Sequence, residues 1–454
     1  MTRELPATPR FAGDVLTIGF ATTAAMWAVG FVLRLPLIQA PGPLIFAALL
    51  LVLLLGGAAA GRWGARGVKT GLPAGLLAGV LNLLVLGGAL GERIRDNPSS
   101  ALLWVPGFVL AVAAIMTLGA WAGRALGGRR SLDVERWPMT MSLTAAGTTL
   151  LLLAVGGLVT GFEAGLAVPD WPNTYGHNMF LYPLSRMTGG IYFEHSHRLF
   201  GTLVGLATIT LAVYAHRIGA DRAARRTALA AVAMVIVQGL LGGLRVTGRL
   251  TLSSDPDVMR PSLTLAIVHG VFGQVFFSTL ALVAVMLAPR WRQADAPQPS
   301  PEARRDLRLG VFTLAALLVQ LVLGALVRHT SSWSDWRVLL HIAMAVVVLS
   351  LLTTCAARCW GLYGRIAPLR GLGIGLLILV GLQALLGIAA LVAVMLDADA
   401  TQPSPWQALI TTAHQSVGAL LLATTAATYL WQRRLLVPAA HGQRQPDAVP
   451  LDLA

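Results

Sequence analysis

Twelve separate stretches of this sequence stay apolar for roughly the 20 residues that a helix needs to cross a bilayer, which leaves few folds open to it. Their limits are about 15–33, 43–60, 71–90, 102–122, 140–160, 197–215, 227–244, 262–288, 308–327, 337–357, 371–396 and 406–431. Within hydrocarbon every backbone N–H and C=O must find its partner inside the protein, so runs of this length read as α-helices. The chain is therefore expected to be an all-α polytopic membrane protein of about 12 transmembrane helices. Only 12% of its 454 residues are charged, against about 25% in a soluble domain. The net charge of +14 does not signal nucleic acid, because the basic residues sit between apolar runs rather than on one solvated face.

Charge also orients the chain. With the N-terminus inside, the inner segments hold 24 of the 34 Lys and Arg residues, so the positive-inside rule places both termini in the cytoplasm. The opening MTRELPATPRFAGD lacks a small-residue cleavage site and reads as neither signal nor transit peptide. The two cysteines, Cys355 and Cys359, lie in one apolar run, where they are expected to pack rather than form a disulfide framework or a zinc site.

The map divides into blocks. Residues 1–130 form a four-helix membrane extension with no titratable residue well inside a span and Asn82 as its one notable polar group, so its role is unassigned. A basic linker leads to two further four-helix bundles, 137–290 and 305–435, and residues 436–454 form a polar tail.

These two bundles share a repeat. The tag Gln-x-x-Leu-Gly begins at Gln238, Gln320 and Gln383, and a degenerate version without the glutamine reads LLAVGGLVTG at 152–161. After each tag and one outer loop comes a histidine in the next helix: His197, His269, His341 and His414, spaced 72 and 73 residues within each bundle. An ionisable group in hydrocarbon costs about 2–3 kcal/mol or more, so it normally faces a cavity or a cofactor. Neutral imidazole is a common metal ligand, and two on facing helices supply both axial bonds of a heme iron. A single buried histidine would be read as a satisfied core residue; four in repeat register point to ligands. Zinc fits less well, since its sites usually gather cysteine or carboxylate ligands nearby. His177, His216, His329 and His441 read as solvated or interfacial, and His195 is expected to face away from His197.

The segment IYFEHSHRLFG puts Glu194 and His197 on one helix face. Glu194 is either a proton acceptor and cation stabiliser beside a porphyrin or a helix N-terminal acid favoured by the dipole. Arg198, Arg245 and Arg328 stand at outer helix ends, where they either pair with heme propionates or reach headgroups. The long loop before Glu194, rich in Gly, Pro and aromatics, suggests a lid; Trp171 and Tyr175 are open to that role or to an interfacial belt.

At GGLVTGFEAGLAVPDWP, Glu194-x-x-His197-Arg198, LGALVR and the four histidines, the chain resembles the heme A synthase family over about 137–435. The resemblance implies an inner-membrane oxidoreductase that converts the C8 methyl of heme O to the formyl of heme A for cytochrome oxidase. It implies that His197 and His269 frame the substrate heme in the first bundle, that Glu194 is catalytic, and that His341 and His414 ligate a permanent heme b in the second. Heme O synthase, oxidase assembly factors and an unidentified electron partner are the implied associates. The alternative is a non-catalytic di-heme b cytochrome; a transporter fits less well, as broken helices and midplane charges are missing. Three departures stand out: the outer loop lacks the cysteine pair found in part of the family, His341 is followed by Ile342 rather than arginine, and the four leading helices exceed the usual plan.

Overall fold

Long apolar runs bounded by Pro, Gly and Asp fold as expected in a computed structural model, which describes residues 12–128, 130, 132–248, 262–294, 296–328, 334–398, 400 and 402–439. The N-terminal residues before Ala12, His329, His441 and the polar tail after residue 439 lie outside the described residues. The helices are α1 (Ala12–Leu33), α2 (Gly42–Trp63), α3 (Val68–Asp96), α4 (Ala101–Gly127), α5 (Trp137–Gly161), α6 (Gly189–Arg217), α7 (Arg222–Thr247), α8 (Leu263–Leu287), the one-turn α9 (Pro289–Arg292), α10 (Ala303–Val327), α11 (Trp336–Gly361), α12 (Ala367–Leu396) and α13 (Pro405–Leu435). The described sheet is one short parallel pairing of β1 (Gln298–Ser300) with β2 (Leu436–Pro438).

Among the described residues, 11 helices are long and apolar enough to span a membrane. The twelfth stretch of the sequence reading is α13, which falls below that level because it is rich in threonine and glutamine. Its position explains the composition. α13 packs against α5, α8, α10 and α12 and buries Thr412, Thr425, Thr428 and Gln432. Its surroundings are protein rather than lipid, and its hydroxyls bond back to carbonyls four residues earlier, as Thr425 does to Leu421 and Thr428 to Thr424. α12 is the converse: the most apolar of the spans, it turns Ile378, Leu385 and Ile388 outward.

Two closed rings of helices carry the repeat. In the first, α5 packs on α6, α6 on α7, α7 on α8 and α8 back on α5; in the second, α10, α11, α12 and α13 close in the same order. α13 lies against α5 and α8, joining the rings.

The leading helices form their own layer. α4 lies against α2 and α3 through small residues that let backbones touch. A Cβ on Gly57 would sit 2.2 Å from the Met116 carbonyl oxygen, and one on Gly123 would sit 2.5 Å from that of Ala58. Gly57 and Gly61 on α2 meet the backbone of Met116 and Ala120, and Gly119 and Gly123 on α4 meet that of Leu54 and Ala58, a small-xxx-small contact that works where no hydrophobic force pulls helices together. Asn82 pins α3 to α1: its Oδ1 accepts from Trp27 Nε1 at 3.0 Å, and its amide donates to the Ala78 carbonyl.

This layer reaches the first ring. Phe31 of α1 stacks on Tyr192 of α6 with ring centroids 5.2 Å apart, and the Tyr192 hydroxyl donates to the Phe31 carbonyl. At the far end of α3, Gly87 and Gly88 lie against the carbonyls of Phe180 and Tyr182 in the loop between α5 and α6. Gly57→Leu should therefore separate α2 from α4 and cost about 1–3 kcal/mol. A lowered thermal midpoint of the detergent-solubilised protein checks it, and an unchanged midpoint would show that this contact carries no stability.

Candidate functional site

The odd helices carry the tags and the even helices the histidines, and the fold sets each histidine against its tag. The ring carbon Cε1 of His197 lies 2.8 Å from where a Cβ would stand on Gly156 of α5. The same distance is 3.2 Å for His269 and Gly242, 3.1 Å for His341 and Gly324, and 3.1 Å for His414 and Gly387. These four glycines are the last residue of each tag, so the tag is a seat for an imidazole that any side chain would push out. The sequence reading found the tags without finding this purpose.

The glutamine that opens three of the tags adds a second contact. Gln238 Nε2 donates to the His269 carbonyl at 3.0 Å, and Gln320 Nε2 donates to the His341 carbonyl at 3.0 Å. Gln320 Nε2 also lies 3.2 Å from His341 Nδ1, and Gln383 Nε2 lies 3.4 Å from His414 Nε2. An interhelical hydrogen bond of this kind contributes about 0.6–2 kcal/mol in a membrane.

The four histidines meet in two pairs. The rings of His197 and His269 have centroids 6.2 Å apart at 78° to one another; those of His341 and His414 are 6.3 Å apart at 79°. Two metal–imidazole bonds of about 2.0–2.1 Å, with about 1.1 Å from nitrogen to ring centre, put trans imidazole centroids roughly 6.2–6.4 Å apart. Both pairs fit that spacing. Nδ1 of His197, His269 and His414 is buried without a hydrogen-bond partner, so ring nitrogens there are unspent in the protein. The donor set, two imidazoles per bundle and no thiolate, suits an iron porphyrin.

Around the first pair, α6 places Glu194 one turn before His197. Glu194 is 4% exposed; its Oε1 meets Arg198 Nε at 3.3 Å, and its Oε2 is buried with no hydrogen-bond partner. The same Arg198 donates to the carbonyls of Asp170 at 2.7 Å, Asn173 at 2.9 Å and Val168 at 3.0 Å. Its guanidinium therefore holds the outer loop, where sequence reasoning offered a propionate or a headgroup.

The loop is tied internally as well. Asp170 accepts from the backbone N–H of Tyr175 at 2.8 Å and of Gly176 at 2.7 Å, and the Tyr175 hydroxyl donates to the Ala167 carbonyl. His195 does face away from His197, its Nδ1 lying 3.1 Å from Thr174 Oγ1. Trp171 rests on Gly243 of α7, next to the seat of His269. Burial pushes the Tyr182 hydroxyl above the usual tyrosine range, so it stays neutral in the loop.

The remaining arginines part ways. Arg245 lies against Gly165 at the start of the loop. Arg328 leaves the end of α10 and crosses to the other ring, donating to the Gly157 carbonyl of α5 and lying 3.4 Å from Thr412 Oγ1. It links the rings at a point next to Gly156 and two residues from His414, where sequence reasoning placed a propionate or headgroup contact. On the opposite helix Asp335 caps α11, and its hydrogen bonds to Arg337 hold its carboxyl down to about 2. Cys355 and Cys359 are buried among Thr313 and Gln432, as packing residues.

The fold is that of a polytopic, all-helical membrane protein whose two repeated rings each bring a histidine pair face to face. Residues 139–334 match the model of the COX15-CtaA family, described as "Cytochrome oxidase assembly protein". Heme A synthase COX15 of Homo sapiens is 30% identical over 208 residues, a match covering 39% of this chain and 48% of that protein. Heme A synthase COX15 of Bos taurus is 32% identical over 158 residues, covering 28% of this chain and 37% of that protein. The chain thus spans about half or less of the curated relatives it matches. The family match takes in the first ring and α10; His341 and His414 lie beyond it.

Removing Arg198 should release the loop before the rest of the fold. Breaking a buried ion pair typically costs about 3–5 kcal/mol, and Arg198→Ala also abandons three loop carbonyls. Limited proteolysis should then cut the 163–188 loop at least about tenfold faster than in the parent. Equal cleavage rates would mean that the loop is held without it.

Proposed function

We propose that this protein is a heme A synthase. On this reading His197 and His269 hold heme O between α6 and α8, and its C8 methyl is oxidised to a formyl group. His341 and His414 hold heme b between α11 and α13, as the route by which electrons leave. The observation that carries the reading is the asymmetry between two otherwise matching pairs: the first has Glu194 beside it, with a buried and unpaired carboxylate oxygen.

The chain's own residues divide the work. Heme iron supplies the redox chemistry, and the protein supplies ligation, orientation and shelter from water. With water as the source of the oxygen atom, going from methyl to formyl releases four protons and four electrons, so a proton acceptor and a path for electrons to the electron partner are both required. Glu194 accepts a proton or balances positive charge at the reacting edge, and Arg198 fixes the position of Oε1, leaving Oε2 for that task. Arg245 faces the same pocket and is the arginine placed to meet a propionate; Arg198 and Arg328 already engage protein carbonyls. The loop closes over the pocket with Trp171 on Gly243. The protein sits in the inner membrane with both termini cytoplasmic and this loop outside, takes heme O from heme O synthase, and serves cytochrome oxidase assembly with an electron partner of unassigned identity.

One observation favours a second reading. The two pairs agree within 0.1 Å and 1°, as two permanent hemes of an electron-transfer cytochrome would require. Acid-acetone extracts of cells expressing this chain with heme O synthase separate the two: heme A supports the enzyme, and unaltered heme O with heme B alone supports the cytochrome. Glu194→Ala should keep the heme b spectrum and abolish heme A, and His341→Ala or His414→Ala should remove that spectrum. Heme A formed at the parental rate by Glu194→Ala would end the catalytic assignment of this carboxylate.

A further inference from the structure

Three of the four histidines are clamped by a glutamine from the tag helix, and one is not. Gln238 and Gln320 donate to the backbone carbonyls of His269 and His341, and Gln383 Nε2 lies 3.4 Å from the His414 ring nitrogen Nε2. The residue at the same place opposite His197 is Leu152, which has no hydrogen to donate from its side chain. Both ligands of the second ring are therefore clamped, and only one ligand of the first.

The receiving surface for a clamp is nonetheless present at His197. Four residues after His269 and His414 stand Gly273 and Gly418, where a Cβ would meet the glutamine amide nitrogen at 2.8 and 3.5 Å. Four residues after His197 stands Gly201, where a Cβ would meet nothing within 4 Å. The slot is open and the glutamine is missing.

We propose that these glutamines are positioning residues that set how long each ring retains its heme, and that Leu152 leaves His197 as the releasable ligand. The physical reason is the role of groups that orient a ligand: their loss typically weakens metal binding about 10–100-fold. A permanent cofactor needs both imidazoles held in place, whereas a porphyrin that must enter and leave needs one that yields. The clamp pattern matches that division, and the inference rests on the heme reading above.

The test is heme transfer from the purified full-length protein, loaded with hemin in detergent, to excess apomyoglobin, followed in the Soret band. The parent should lose heme in a fast and a slow phase. The fast phase should vanish in a His197→Ala, His269→Ala background and persist in a His341→Ala, His414→Ala background. Leu152→Gln should slow the fast phase about tenfold, while Leu152→Met, of similar size without a donor, leaves it at the parental rate. Gln320→Leu should quicken the slow phase by about the same factor. A gain of retention in Leu152→Gln is not what loss of structure produces. An unchanged fast phase in Leu152→Gln, or a fast phase belonging to the second ring, would overturn the proposal while leaving the heme reading intact. A protein that takes up no hemin would end the heme reading itself.

Discussion

The architecture depends on one contact made four times: an imidazole edge against a glycine of the neighbouring helix, in a medium with no water to satisfy a stray polar atom. At Gly156, Gly242, Gly324 and Gly387 the missing side chain lets the ring sit down between helices. Seated in this way, the rings of each bundle come to 6.2 and 6.3 Å. A methyl at Gly156 would stand 2.8 Å from the His197 ring, and one at the other three glycines 3.1–3.2 Å from the ring it faces, tighter than most side-chain contacts.

Symmetry in the seats makes the departures from symmetry informative. Both rings share the same pair geometry, yet among the described residues only the first has a buried acid with an unpaired oxygen and only the first lacks a glutamine clamp. Arg328 crosses from one ring to a carbonyl of the other, so the rings are joined by a charged side chain as well as by α13. The four leading helices also gain a reason to be there. Through Phe31 on Tyr192 and through the glycines of α3 beneath Phe180 and Tyr182, they brace the helix that bears Glu194 and His197 and the loop above it.

Much was legible in the sequence because bilayer physics leaves few choices. A membrane-length apolar run must be a helix, and titratable groups placed in register within such runs must be shielded by something. The spans, the two-bundle repeat and the membership of four histidines in one pattern follow from that. α13, counted among the twelve stretches, is less apolar than the other eleven, because its threonines belong to a helix walled in by protein rather than lipid.

Side-chain direction was the part that only tertiary structure decided. From sequence, Arg198, Arg245 and Arg328 are three equivalent cations at helix ends; in the fold one holds a loop, one lies against Gly165 at the start of that loop and one bridges two rings. Which imidazole meets which was likewise open, since His197 is separated from His269 by two helix crossings. The sequence by itself determined how many helices there are and which residues recur, because period and hydropathy are local properties. Partnership between helices depends on close approach at glycines and on hydrogen bonds across the bundle, and those exist only once the chain has closed on itself.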